Sequence, residues 1–278
     1  VGSEMCIRDS NRLMAAPYLL WSAAFIIIPL CMIFYYGLTD RSGAFTFENV
    51  TAISSPEHMK ALITALVLSL ISTVVCLALA YPLAMILAGR HVSQQSFIVL
   101  IFILPMWMNF LLRTLAWQTL LEKTGVINSV LSFFGLPTLN IINTPGAIIL
   151  GMVYNFLPFM VLPLYNALTK IDPNVINAAH DLGANWFQTF LRVIFPLSLP
   201  GVISGITMVF VPALTTFVIS NLLGGSKILL IGNVIEQEFT QASNWHLGSG
   251  LSIVLMVFIL INMLMTAIFD KNGEGTSL

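Results

Sequence analysis

The sequence predicts an all-α integral membrane protein with about six transmembrane helices. Of its 278 residues, 58% are hydrophobic and only 8% are charged, and the mean hydropathy is +0.93. A soluble domain carries about 25% charged residues, so these charges are too few to cover a globular surface in water. The formal net charge of −1 and the lack of a basic run in the sequence give no indication of nucleic-acid binding.

Six stretches reach the roughly 20 mainly apolar residues that one membrane-spanning helix needs. They are residues 17–38, 61–89, 95–118, 146–168, 201–223 and 248–269. An even number of spans places both termini on one side of the membrane, together with the loop at 170–200. The Lys and Arg residues divide six against five between the two sides, so the positive-inside rule gives no orientation. A loop before the fourth span is marked by Gly135, Pro137, Asn140, Asn143 and Pro145.

The polar segment 170–200 interrupts the apolar runs with a pattern of its own. Asp172 is placed to cap a helix whose first position is Pro173, where a missing N–H costs nothing. Apolar residues then recur at helical spacing as far as Leu182. Gly183 favours a turn at this point, because glycine reaches positive φ without a Cβ clash. The pattern predicts a short amphipathic helix that ends at a glycine corner.

A second helical run continues this segment from Trp186 to Phe195. Pro196 and Pro200 are expected to break that run before the next apolar stretch. The prediction is therefore a short helix held between Gly183 and Pro196, lying on the membrane surface and suited to contacting another protein.

The sequence offers no constellation for catalysis or for a metal. The cysteines lack metal-ligand spacing and the histidines are scattered among different segments. Residues 224–227 read Gly-Gly-Ser-Lys, without the first glycine and the ending that a phosphate-binding loop requires. We therefore expect no catalytic residue and no cofactor in this chain, and any ATP must be bound by a partner. The three cysteines are Cys6, Cys31 and Cys76, and the four histidines are His58, His91, His180 and His246.

The order of an Ala-Ala pair, a glycine and a later hydrophobic residue and proline resembles the cytoplasmic loop signature of ABC importer permeases. Here it reads Asn177-Ala178-Ala179, Gly183, Val193 and Pro196. The resemblance implies a coupling helix that docks on ATPase subunits. Asn177 stands where the family usually carries Glu, so the carboxylate of that position is missing. The implied coupling residues are Asn177, Ala178, Ala179, Asp181, Leu182, Gly183 and Pro196.

Further blocks extend the resemblance over nearly the whole chain, from about residue 15 to residue 269. They include Phe-Thr-Phe-Glu-Asn at 45–49, Ala-Tyr-Pro-Leu-Ala at 80–84, Leu-Pro-Met-Trp at 104–107 and the run Leu-Pro-Phe-Met-Val-Leu-Pro-Leu-Tyr at 157–165. Another is Asn-Leu-Leu-Gly-Gly at 221–225. Together they resemble the first permease subunit of spermidine/putrescine importers.

That resemblance implies a type I ABC importer in a bacterial inner membrane. In such a machine a second, different permease pairs with the first, two ATPase subunits bind ATP and Mg²⁺, and an extracytoplasmic binding protein delivers the solute. The chain would be a multi-pass transport subunit in the lipid bilayer, not an enzyme, with both termini cytoplasmic. It would carry spermidine or putrescine.

Polar and aromatic side chains inside the spans are candidates for lining the translocation path, because such groups are costly against lipid. Trp107, Asn109 and Arg113 fall roughly on one helical sector of the third span. Trp107 either stacks on a cationic amine or packs beside its neighbouring proline. Arg113 either lines the path or extends to the headgroups. The remaining candidates are Tyr154, Asn155, Thr215 and Asn221.

Two observations weigh on these candidates. Thr215 follows Pro212, whose kink could expose it, although membrane threonines more often bond to their own backbone. No Asp or Glu falls in the six spans, where a polycation would favour carboxylates. The acids in or beside the outer loops could receive substrate, dock the binding protein or remain solvated charges. They are Asp40, Glu48, Glu57, Glu122, Glu236 and Glu238.

We expect residues 1–14 to be an N-terminal segment, partly an artefact of gene prediction. Residues 15–270 would form one transmembrane permease domain and residues 271–278 a cytoplasmic tail. One rival hypothesis keeps the importer and changes the cargo to another amine, an amino acid or an organic anion. A second is an ion-coupled carrier or channel, which often shows intramembrane carboxylates. A non-transport scaffold would leave the Ala-Ala-Gly loop unexplained.

Overall fold

The computed structural model describes residues 18, 20–89, 104 and 106–274, apart from the side chains of residues 226 and 269–274. All regular elements in these residues are helices. In chain order they are α1 (Leu20–Gly37), α2 (Glu48–Thr51), α3 (Pro56–Ala88), α4 (Phe110–Leu121), α5 (Val126–Phe133), α6 (Pro145–Leu168), α7 (Pro173–Asp181), α8 (Trp186–Thr215), α9 (Val218–Leu223), α10 (Ile231–Thr240) and α11 (Trp245–Glu274).

Five of these helices, α1, α3, α6, α8 and α11, are long and apolar enough to cross a membrane. The predicted all-α membrane fold is therefore confirmed. The predicted spans at 17–38, 61–89, 146–168 and 248–269 correspond closely to α1, α3, α6 and α11. The predicted span at 95–118 lies partly outside the described residues, and its end is seen as α4.

The prediction that Pro196 and Pro200 end a helix was wrong. α8 runs without interruption through both prolines. A π-helical turn precedes Pro196, in which the N–H of Phe195 bonds to the carbonyl of Phe190. Pro196 follows this wider turn directly, whereas Pro200 and Pro212 lie inside the α-helical stretch of the same helix.

The predicted fifth span, 201–223, also has the wrong bounds. α8 ends at Thr215, and the extended backbone at Thr216 (ψ 140°) separates it from the short helix α9. The helix that crosses the membrane is thus continuous with the segment after Gly183, which makes α8 both the membrane span and the second half of the polar segment.

The chain divides into two compact units. The first contains α1 and α2 with residues 235–257. In it, the side chain of Asn49 donates to the carbonyl oxygen of Thr39 at 2.9 Å. The ring nitrogen Nδ1 of His246 lies 2.7 Å from the same oxygen. A Cβ on Gly37 would stand 2.5 Å from Cδ1 of Ile253 and 3.1 Å from the backbone of Ser249, so glycine favours this close approach of α1 to α11.

The second unit is built on α3, α6 and α8, which pack against one another. Small residues and methionines fill the contact. A Cβ on Gly201 of α8 would lie 2.5 Å from Cβ of Ala167 and 2.8 Å from the backbone oxygen of Pro163. One buried polar link joins α3 to α8, where Tyr81 Oη and Ser198 Oγ lie 2.6 Å apart.

Gly201→Ala should lower the thermal stability of the purified protein, because the new methyl group meets backbone that cannot move aside. Overpacking of this kind costs about 1–3 kcal/mol. Gly205→Ala is the matched control on the same helix, since its Cβ would meet the flexible thioether of Met160 at 2.6 Å. Melting curves in detergent should show the larger loss for Gly201→Ala, and equal losses would contradict the rigid contact.

Candidate functional site

The helix α7 begins and ends with the local signals that the sequence contains. The carboxylate of Asp172 accepts a hydrogen bond from the N–H of Asn174 at 2.9 Å, and Pro173 occupies the first turn. Gly183 has φ +82°, in the left-handed region that disfavours a side chain. The N–H groups of Gly183 and Ala184 bond to the carbonyls of His180 (2.9 Å) and Ala179 (3.0 Å). This is a Schellman motif, and it confirms the predicted glycine corner.

A capping box starts α8 directly after this corner. The side chain of Asn185 accepts from the N–H of Gln188 at 2.8 Å, and the side chain of Gln188 accepts from the N–H of Asn185 at 3.0 Å. The direction of α7 relative to α8 is therefore defined by Gly183 and Asn185 at consecutive caps.

Large apolar side chains are exposed around this corner. Leu182 keeps 89% of its surface accessible, and Val175, Trp186 and Phe187 are also exposed. A contiguous apolar surface beside polar groups is typical of a protein–protein contact. We call α7 with residues 182–187 the corner segment.

The structure places six of the seven candidate coupling residues in the corner segment. Five of them, Asn177, Ala178, Asp181, Leu182 and Gly183, are exposed, and Ala179 is half-buried. Pro196 lies ten residues into α8, about 15 Å along its axis from Trp186. Pro196 is thus separated from the other six.

Aromatic contacts connect the start of α8 to α3. Tyr81 meets Phe190 edge to face at a centroid distance of 5.5 Å, and Trp186 stacks on Phe190 at 5.9 Å. In the sequence, Tyr81 stands out only as part of the Ala-Tyr-Pro-Leu-Ala motif at 80–84. Its ring and its hydroxyl bond to Ser198 hold the corner end of α8 against α3.

The candidates of the third span are not on one continuous helix, so the shared helical sector was wrong. Asn109 is the N-cap of α4, and its side chain accepts from the N–H groups of Leu111 (2.8 Å) and Leu112 (3.4 Å). Trp107 precedes this cap and is 77% exposed. Arg113 lies inside α4 and is buried.

The candidates on α6 and α8 differ in their surroundings. Tyr154 is exposed and meets Trp117 of α4 edge to face at 5.3 Å. Asn155 is buried and donates to the carbonyl of Gly151 at 2.9 Å, while its Oδ1 has no hydrogen-bond partner. The hydroxyl of Thr215 donates to Val211 O of its own helix at 3.1 Å.

The break between α8 and α9 is fastened by Asn233, which lies between the predicted fifth and sixth spans and has no sequence signal for this role. Its side chain is fully buried. Oδ1 accepts from the hydroxyl of Ser220 (2.5 Å) and the N–H of Leu230 (2.9 Å). Nδ2 donates to Phe217 O (3.0 Å) and to Oδ1 of Asn221 (2.7 Å). Asn221 is exposed on its other side.

Gly232, beside Asn233 in the first turn of α10, lets the start of that helix approach the break between α8 and α9. A Cβ there would lie 2.7 Å from the carbonyl oxygen of Thr215 and 2.9 Å from that of Thr216. Non-helical backbone at membrane depth is tolerated where protein or a water-filled cavity surrounds it. The segment at 230–233 provides that protein surrounding.

In the part of the chain that the structure describes, no cluster of three or more His, Cys, Asp or Glu side chains could hold a metal ion. What the described residues present is an exposed apolar corner segment, a helix that joins it to the membrane, and a helix break that the chain itself fastens. This arrangement suits the transmission of movement.

The sequence matches the family described as "Binding-protein-dependent transport system inner membrane component" over residues 80–272. The chain belongs to this family. It is a multi-pass permease subunit of the inner membrane, and ATP is bound by a partner ATPase. The permease itself is not an enzyme.

Curated relatives cover most of the permease. It is 38% identical over 249 residues to the spermidine/putrescine transport system permease protein PotB of Haemophilus influenzae, covering 87% of each chain. It is 37% identical over 252 residues to PotB of Escherichia coli strain K12, covering 88% of this chain and 92% of the relative.

A solved structure shows the same fold at low identity. A chain of a bacterial ABC transporter involved in the import of the acidic polysaccharide alginate superposes with a TM-score of 0.81 at 17% identity. The match covers 97% of the permease and 98% of that chain. The importer-permease fold is thus confirmed.

Proposed function

We propose that the permease forms, with a second permease, the translocation path of an ATP-driven importer for spermidine or putrescine. The observation that carries this proposal is the 37–38% identity to two spermidine/putrescine permeases over nearly the whole chain. A polyamine is a flexible polycation, so the path must offer negative or aromatic groups without holding the cargo tightly.

The acids beside the outer loops are the groups in this chain that attract such a cargo. Asp40, Glu48 and Glu57 are exposed. The pKa of Asp40 is lowered, chiefly because the backbone N–H of Ser42 donates to its carboxylate, so Asp40 stays charged at neutral pH. These charges would act on the arriving cargo or on its binding protein.

The corner segment supplies the contact with the ATPase. Its exposed Leu182, Trp186 and Phe187 would enter a cleft of the ATPase subunit, and the residues at Asn177 and Asp181 would lie at the rim. Because α8 is continuous from this contact to Thr215, a rigid movement of the segment reaches the outer half of the path. With the corner segment at the ATPase and an even number of spans, both termini would be cytoplasmic.

The remaining partners are an extracytoplasmic binding protein and a second permease. A chain with the same fold, at a TM-score of 0.80 and 17% identity, comes from the alginate transporter in complex with a pentasaccharide-bound periplasmic protein. The proposed path residues are Trp107, Asn109, Arg113, Tyr154, Asn155, Thr215 and Asn221. Of these, Thr215 is the weakest, since its hydroxyl is bonded to its own helix.

One observation favours a second cargo class. Among the described residues, Arg113 is the one charged side chain that is buried, and its charge is positive. An amino acid or an organic anion would be attracted to it, whereas a polyamine would be repelled.

The test uses the importer reconstituted in proteoliposomes from the permease, the second permease, the ATPase and the binding protein. We expect ATP-dependent accumulation of labelled spermidine or putrescine, and a thermal shift of the binding protein with the same amines. Accumulation of an amino acid or organic anion, with no shift for either amine, would reject the polyamine cargo and keep the importer.

A further inference from the structure

The guanidinium of Arg113 has no counter-charge among the residues that the structure describes. The side chain is 7% exposed, and its Nε and Nη1 are buried without a hydrogen-bond partner. Arginine stays protonated in proteins, so burial cannot be relieved by loss of the proton. An unpaired buried cation is strongly destabilising, and such groups in membrane proteins normally pair.

Arg113 and Asn155 lie at similar distances from the ends of α4 and α6 that the segment at 122–144 connects. Arg113 precedes the end of α4 at Leu121 by eight residues, which is about 12 Å of helix. Asn155 follows the start of α6 at Pro145 by ten residues, or about 15 Å. Both distances approach half of the roughly 30 Å hydrocarbon layer.

The same layer of the α4–α6 contact contains a second unsatisfied group. Phe110 of α4 stacks on Phe156 of α6 at 6.4 Å, and Trp117 meets Tyr154 at 5.3 Å. Arg113 lies between the two α4 aromatics, and Asn155, 1% exposed with an unpartnered Oδ1, lies between the two α6 aromatics. Two orphaned polar groups in one layer indicate that the layer is incomplete without a further component.

No carboxylate among the described residues is placed to supply the missing charge. Of the 12 Asp and Glu residues in the sequence, only Glu57 falls in a candidate membrane span, and it lies in the first turn of α3. The neutral carbonyl of Asn155 can accept a hydrogen bond but cannot balance a charge. The described residues thus offer no counter-charge to Arg113.

We propose that Arg113 pairs with a carboxylate in a membrane span of the second permease subunit. The proposal rests on the proposed function, because a polycationic cargo cannot neutralise an arginine whereas an anionic cargo could. A single buried ion pair between the permeases would fix their register and exclude wrong pairings.

The test measures recovery of the complete importer, co-expressed with its second permease, after detergent extraction and size-exclusion chromatography. Arg113→Gln should reduce recovery of the two-permease complex about tenfold or more, because it leaves the partner's carboxylate buried and unpaired. Arg113→Lys keeps the charge and should retain most of the complex. Lys123→Gln, at an exposed position after α4, is the control and should leave recovery unchanged.

The second arm locates the partner group by a double-mutant cycle. Each Asp and Glu in the spans of the second permease is changed singly to Asn or Gln, with and without Arg113→Gln. One of these changes should restore recovery of the Arg113→Gln complex. The ion pair would be overturned if the Arg113→Gln complex were recovered at the wild-type level. It would also be overturned if no substitution among the partner's Asp and Glu residues restored recovery.

Uptake assays separate this result from failure of the proposed function. If the coupled pair is found and the wild-type importer moves no polyamine, the cargo assignment fails and the ion pair stands. If Arg113→Gln assembles normally but raises the KM for an anionic or zwitterionic cargo, Arg113 binds the cargo and both proposals fall.

Discussion

Gly183→Leu is expected to abolish most ATP-dependent uptake while leaving membrane insertion intact. Gly183 has φ +82°, and a Cβ there would meet no atom within 4 Å. The cost is therefore backbone strain alone, about 1–2 kcal/mol for a side chain in the left-handed region. That is too little to unfold the protein, but relief of the strain would open the Schellman motif and redirect α7. We expect uptake in proteoliposomes to fall about tenfold or more, since about 1.4 kcal/mol shifts a population tenfold.

Gly135→Leu is the matched control for this variant. Gly135 also has positive φ, +68°, and open space around its Cβ, but it lies in the loop after α5. It carries similar strain without touching the corner segment, so uptake should stay near the wild-type rate. Gly183→Asn should be intermediate, because Asn tolerates this conformation better than Leu. Wild-type uptake by Gly183→Leu would remove the coupling role of the corner segment.

Local signals made the corner segment predictable from the sequence. Asp172, Pro173 and Gly183 act through bonds to their neighbours in the chain, so their roles follow from residue type and order. The apolar spans follow in the same way from length and composition. The continuation of α8 through Pro196 does not, because it depends on a π-turn and on packing against α3 and α6.

Tertiary contacts explain what the sequence could not show about the path. The cap at Asn109 separates Trp107 from Arg113, although periodicity alone placed them on one face. The backbone beyond the break after Thr215 is bonded by Asn233, from the first turn of α10. Nothing in the order of residues 224–247 marks Asn233 as the residue that does so.

Asn233→Leu is expected to destabilise the permease and to reduce uptake per folded molecule. The variant leaves the N–H of Leu230 without its acceptor, and it removes one bond each from Ser220 and from Phe217 O. Ser220 and Phe217 O keep the bond between them at 3.0 Å. One unsatisfied buried group costs about 1–3 kcal/mol, so we expect a loss of that size. The first turn of α10 would then no longer hold the break, and movement of α8 would not pass to α9 with a fixed geometry.

Asn128→Leu separates stability from transport in this experiment. Asn128 is also buried, donating to the carbonyls of Glu122 (3.1 Å) and Leu139 (2.9 Å) and accepting from the N–H of Leu139 (2.7 Å). These bonds join the segments before and after α5, and none of them involves the break between α8 and α9. Thermal melting should show a loss for both variants, whereas uptake normalised to folded protein should fall for Asn233→Leu alone. Equal uptake by the two variants would mean that the helix break need not be fastened for transport, and that Asn233 serves stability only.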